Sequence, residues 1–341
     1  MRARVPLAAL ALLVTASCAG LRHADDPAPR VRGPLAARQQ HPMALTLMAF
    51  RPRRPVTQAE GTTGLGAQLS WSSIEEIQRN PPYAPDEYVS MDTETVRLAL
   101  RARRGLSEDL DLEVELPLLS AGSGVLDRFI EEFHDLFGLP AGGRHLNPDD
   151  RHLVRLESDG ELLYELDQGL GLGDVPLVLT WSLRPEDDAG PAVAARAGIE
   201  LPTGSESRGY GNGALDAGAG VLLERSLGRW TVVGGADVVV PGQSARMEAS
   251  ARHRYVTMYA LELSGEYRWN DSLSLVATTK WTSQMIDTIP LEEIEREVFD
   301  LGVGAVWDAG EASRLALSFH EDLVAATGSD FTLQLGYTWS Y

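Results

Sequence analysis

The chain of 341 residues carries 30 Lys+Arg against 49 Asp+Glu and a single cysteine. So acidic a balance excludes a nucleic-acid binder, which needs basic surface to displace counterions, and one thiol excludes an internal disulfide. Beyond residue 19 there is no stretch of about 18 uninterrupted apolar residues, so a helical membrane span is excluded and a closed barrel is the spanning architecture left.

Residues 1–19 read as a secretory signal: Arg2 and Arg4, an apolar run from Val5 to Val14, then the small residues Thr15 to Ala19. Two cleavage readings stand side by side. Ala16-Ser17-Cys18 resembles a lipoprotein box, which makes Cys18 a lipidation site, whereas Ser17-Cys18-Ala19 suits ordinary signal peptidase. Residues 20–61 follow as a periplasmic tether. Within it, 20–42 contain Pro and Arg without periodicity, and the apolar segment 43–50 is placed as a short strand or plug at the periplasmic mouth.

From residue 62 to 341 the pattern alternates with period two, as in strands with one apolar face. Val96, Leu98 and Leu100 oppose Arg97 and Arg101; Leu112, Val114, Leu116 and Leu118 oppose Glu113 and Glu115. Val175, Leu177, Leu179, Trp181 and Leu183 oppose Val178, Thr180 and Ser182. Leu261, Leu263, Tyr267 and Trp269 oppose Glu262, Glu266 and Arg268, and the series continues through Leu275, Val303 and Leu317. The last segment sets Phe331, Leu333, Leu335, Tyr337, Trp339 and Tyr341 on one face and only small or polar residues on the other. It looks like the sorting signal that the barrel-insertion machinery of Gram-negative bacteria reads.

Connection lengths test this independently. Counted back from Tyr341, tight turns at 308–312, 270–271, 227–228, 185–190 and 105–107 alternate with long loops at 325–330, 286–295, 241–254, 203–212, 120–172 and 75–91. The sum is an all-β fold: an antiparallel transmembrane β-barrel of about twelve strands, its C-terminus in the periplasm. Trp71, Trp181, Trp230, Trp269, Trp307 and Trp339 fall near strand ends, as interfacial girdles require.

The insertion 120–172 breaks the pattern. Val125, Leu126, Phe129, Ile130, Phe133, Leu136 and Phe137 recur at helical spacing, which predicts a short amphipathic helix over 124–138 in a long extracellular loop. Its core, from Leu126-Asp-Arg-Phe-Ile-Glu-Glu-Phe-His134 to Arg144, resembles a bacterial domain-of-unknown-function family, number 3187. Gly33 to Pro42, Thr95 to Arg101, Glu115 to Leu119, Gly171 to Asp174, Leu201 to Gly204 and Glu321 to Val324 add to the likeness; Arg38-Gln39-Gln40 departs from the family's Arg-Asn-Gln. The resemblance implies an outer-membrane barrel without an assigned activity, so no catalytic residue carries over.

Three clusters bear chemistry. Ser318 and His320 share a strand face beside Glu321 and Asp322, a hydrolase-like pair that the alternation turns toward the lumen. Glu131 and His134, three apart on the predicted helix, share a metal only if His145, Asp149 or His152 folds back; no metal or cofactor is expected. The lumen is expected to be lined by Arg97, Arg101, Glu113, Glu115, Arg196, Glu200, Asp237, Glu262, Glu266, Arg268 and Lys280. Mixed charge of this kind either lines a wet passage or pairs across the interior and closes it. The expected role is a passive channel or binding barrel for small solutes, set among outer-membrane lipid and lipopolysaccharide. An esterase using Ser318 and His320, and a structural or partner-binding barrel acting through 120–172, are the alternatives.

Overall fold

The computed structural model describes residues 31–79, 84, 86–125, 151–250, 252–286, 289, 294, 296–323 and 328–340. The alternating segments become long antiparallel strands, beginning with β1 (Thr63–Arg79), β2 (Glu87–Gly105) and β3 (Leu110–Gly122). Three short strands follow: β4 (Leu153–Ser158), β5 (Glu161–Leu166) and β6 (Gly169–Leu172). Then come β7 (Val175–Arg184), β8 (Ala192–Leu201), β9 (Asp216–Leu227), β10 (Trp230–Val240) and β11 (Met258–Arg268). The chain ends with β12 (Leu273–Thr282), β13 (Val298–Asp308), β14 (Ser313–Asp322) and β15 (Phe331–Ser340).

Twelve of these form a ring, β1-β2-β3-β7 and onward to β15, which pairs back onto β1 from Gly64↔Ser340 to Ser73↔Phe331. Closure leaves the ring no unpaired edge, as a sheet in hydrocarbon needs. Outward residues such as Leu179, Leu261, Leu275, Leu317 and Leu335 are exposed, while their inward neighbours Thr180, Glu262, Ser274, Ser318 and Gln334 are buried. Phe331 alone of the described apolar residues on β15 is covered, by Trp71 and by Phe319 edge-on at 5.2 Å.

One end of the ring carries short turns and the other long loops. At the turn end, the side chain of Asn270 accepts from the backbone of Ser272 and Leu273 at 2.9 and 2.8 Å, and Gly228 takes φ +66 in its two-residue turn. Exposed Trp181, Trp230, Trp269 and Trp339 mark this end, with Tyr267 set between Trp230 and Trp269 at 4.8 and 6.4 Å.

Two loop expectations need correction. The strands reach into the span 75–91 from both sides: β1 and β2 stay paired to Arg79↔Tyr88, because Ile74, Val89 and Met91 are buried there and β4 covers the far edge of β2. The insertion 120–172 holds strands at both ends. β4 and β5 form a hairpin whose Asp159 and Gly160 take φ 51 and 78, the left-handed pair of a tight hairpin turn, and β6 pairs with β3. The helix expected over 124–138 lies, beyond Gly124 and Val125, outside the described residues. The helix that is described is α1 (Ala245–Ala249), begun by Ser244, whose hydroxyl accepts from Met247 N at 3.1 Å.

Residues 31–58 are not a tether. They form a finger folded up through the lumen. At the turn end the Arg32 backbone donates to the Glu266 carboxylate at 3.0 Å, and its guanidinium reaches Ser274 and Asp308 at 2.8 and 2.7 Å. The finger climbs past Gln68, which donates to Ala36 O at 3.0 Å, to a single 3-10 turn at Ala44–Thr46. There Met48 N donates to Asp216, at the loop end of β9, at 2.8 Å. The return limb is held by Arg196, donating to Arg51 O at 2.8 Å, and by Thr57, donating to Glu108 O at 2.9 Å in the β2–β3 turn.

The apolar segment 43–50 therefore sits near the loop end, not at the turn-end mouth. The reason is burial. Met43, Leu45, Leu47, Met48 and Phe50 join Met91, Met247, Met258, Met285, Tyr255 and Ile286 in one buried core beneath the loops. At the mouth these side chains would face water.

Candidate functional site: a plugged lumen

Because successive side chains alternate, every second residue of the ring points at the finger. Arg97, Arg101, Glu113, Glu115, Arg196, Glu200, Asp237, Glu262, Glu266 and Lys280 are all buried within the barrel. Arg268 is half-buried at the end of β11. These groups gather into pairs. Arg196 binds Asp237 at 2.7 Å and Glu262 at 3.0 Å, and its guanidinium lies 4.8 Å over the Phe50 ring. Arg97 pairs with Glu115, which Arg101 approaches to 3.9 Å. Lys280 donates to Phe50 O.

The finger supplies cations that the wall lacks. Arg51 pairs with Glu113, Arg53 meets Asp111 at 3.2 Å, and Arg54 grips Glu224 through two hydrogen bonds at 2.6 and 2.7 Å. Arg38 lies 4.0 Å from Glu200. Arg51, Arg53, Arg54, Asp111, Glu224 and Asp308 were not among the expected lumen residues. A signal was present nonetheless: Arg51-Pro-Arg-Arg54 stands a short way ahead of the first strand of a barrel whose inward face carries several carboxylates.

The ion pairs and the apolar tip hold the finger unequally. An ion pair gives back most of its Coulomb gain as desolvation, and a withdrawn finger would leave its arginines and the wall carboxylates hydrated. Each of Met43, Leu45, Leu47, Met48 and Phe50, nearly fully buried, is stabilised by about 1.5–3 kcal/mol relative to exposure. The tip dominates. The arginines set where the finger lies.

Among the described residues, the finger occupies much of the lumen. Two small cavities of about 40 and 30 Å³ lie next to Phe50, one toward Lys280 and Met285, the other toward Arg97 and Glu115. Each has room for a few water molecules at most. At the turn end the space widens to a vestibule of about 450 Å³.

Ser318 and His320 do meet, Oγ to Nε2 at 2.9 Å, both buried and facing inward. The register partners of His320 are Gly302 and Thr332, so those positions bring it no orienting carboxylate. His152 has both ring nitrogens engaged, by the Thr93 hydroxyl and by Leu166 O, each at 2.9 Å, and is not free for a metal. Glu131, His134, His145 and Asp149 lie outside the described residues. Among the described residues no cluster of His, Cys, Asp and Glu is grouped to hold a metal ion.

A closed antiparallel ring of twelve strands with an apolar outside, an aromatic belt and a charged inside defines a transmembrane β-barrel of the outer-membrane type. The chain belongs to the DUF3187 family, described as proteins of unknown function, whose model matches residues 11–341. No curated protein matches it. Among solved structures it is similar to the COG4313 outer membrane channel from Pseudomonas putida F1, at 19% identity and a TM-score of 0.55, over 86% of this chain and 100% of that one. The NanC porin aligns at 7% identity and a TM-score of 0.45, over 81% and 98%. The CymD monoaromatic hydrocarbon channel aligns at 14% identity and a TM-score of 0.37, over 89% and 91%.

Proposed function

We propose that this protein is an outer-membrane channel for small solutes, held shut by residues 31–58, with the turn end facing the periplasm. One observation carries the reading: among the described residues, the finger runs through the lumen from the vestibule to the loop end, and the cavities beside Phe50 hold only about 30 and 40 Å³. The barrel wall needs no such filling to be stable, since its backbone is satisfied by the ring itself. Transport in this reading is passive, and solutes are selected by width and by the Arg and Glu lining once the finger yields. The similarity to an outer membrane channel agrees with this fold.

The test is single-channel conductance in planar bilayers, comparing the full chain with Leu47→Asp. Leu47 is 1% exposed in the tip core, and a carboxylate there costs several kcal/mol unless the tip leaves. The expected outcome is a silent or flickering wild type and long openings in the variant. Equal silence from both, in preparations whose barrels migrate as folded on unboiled gels, defeats the gate.

A further inference from the structure

The vestibule has two unlike walls. On the β2–β3 side it is lined by Arg51, Arg53, Arg101 and Arg103 and by one carboxylate, Glu113; behind them Arg97 pairs with Glu115, and Asp111 stands beside Arg53 and Arg103, so that five guanidiniums meet three carboxylates among the described residues of this side. Asp111 alone serves both Arg53 and Arg103. Arg53 Nε is buried with no hydrogen-bond partner among the described residues. The other side is closer to balance, with Arg32, Arg54 and Arg314 set against Asp308, Glu224 and Glu266, and Glu311 at the rim. It also carries an apolar patch, in which Leu35 and Val306 pack with Val276 and Ala316. Leu35, Val306 and Ala316 line the same cavity as Arg53 and Arg103.

From this juxtaposition we infer that the vestibule binds a small organic monocarboxylate, its carboxylate on the Arg53–Arg103 side and its apolar body against Leu35, Val306 and Ala316. A guanidinium fork matches a carboxylate in a paired, planar contact. The surplus of positive charge on that wall suits an anion, and the apolar patch in the same cavity suits one with an apolar body. A volume of about 450 Å³ falls in the range of ordinary small-molecule sites. The inference deepens the channel reading by naming a solute class.

Titration calorimetry of the full chain refolded in detergent tests it, with benzoate, benzamide and inorganic phosphate as probes. Benzoate is expected to bind at least roughly 10-fold tighter than its neutral isostere benzamide and tighter than phosphate, a tenfold step being about what one charged hydrogen bond contributes. Arg103→Gln should weaken benzoate by a similar factor and leave the Arg53–Asp111 contact in place; Arg53→Gln should weaken benzoate by a similar factor and leave the Arg103–Asp111 contact in place. No heat with benzoate, equal binding of benzoate and benzamide, phosphate as tight as benzoate, or indifference to both substitutions in barrels that stay folded on unboiled gels overturns the site. Binding in detergent requires no conduction. A barrel that binds benzoate and never opens therefore sinks the gate and leaves the site, and one that opens but ignores benzoate does the reverse.

Discussion

Arg196 shows how much one side chain can organise. It joins β8 to Asp237 on β10 and Glu262 on β11, caps the Phe50 ring and donates to Arg51 O. Arg196→Met keeps the volume but strands two buried carboxylates, a change that costs about 3–5 kcal/mol when one partner of a buried pair is lost. Urea unfolding of the refolded barrel should show that loss, and Arg196→Met combined with Asp237→Leu and Glu262→Met should recover most of it. A triple variant as weak as the single one would mean that Arg196 acts through packing alone. At this scale the sequence was readable on the wall, where alternation turns Arg196, Asp237 and Glu262 inward. It was harder to read in the finger, where Arg51, Arg53 and Arg54 belong to no repeating pattern and only their clustering ahead of the first strand marks them.

Single elements divide in the same way. β11 was legible because polar Glu262, Ser264 and Glu266, buried in the structure, alternate in the sequence with apolar Leu261, Leu263 and Tyr267. The upper part of β2 was hidden, since the stretch from Val89 to Thr95 is buried on both faces and shows no alternation. The β4–β5 hairpin escaped notice inside a long insertion, although Asp159-Gly160 between two apolar runs is a hairpin signal. That turn is open to test. Gly160 has φ +78 with space around it, so Gly160→Val is opposed by backbone strain alone, of about 1–2 kcal/mol. Limited proteolysis should then cut near 159–160 while the gel mobility of the unboiled barrel stays unchanged. Protection equal to that of the wild type would show that the hairpin does not depend on this conformation.

The whole molecule divides its surfaces by solvent: Leu to hydrocarbon, arginine and carboxylate to the finger. Leu335 lies level with Leu69 on β1 and Leu317 on β14, all three exposed on the outer face. Leu335→Arg places a cation in that band and should cost roughly 2–4 kcal/mol if the band lies near the bilayer midplane. The readout is the urea midpoint in lipid vesicles; an unchanged midpoint would show that this face is not lipid-bathed. The course of the finger has a mechanical consequence of its own. Both of its limbs meet the wall at the same mouth, through Arg32 and Thr57, and only the bend reaches the far side. In the gate proposed above, a bolt of that kind would leave and re-enter bend first, so one molecule would be locked and unlocked many times.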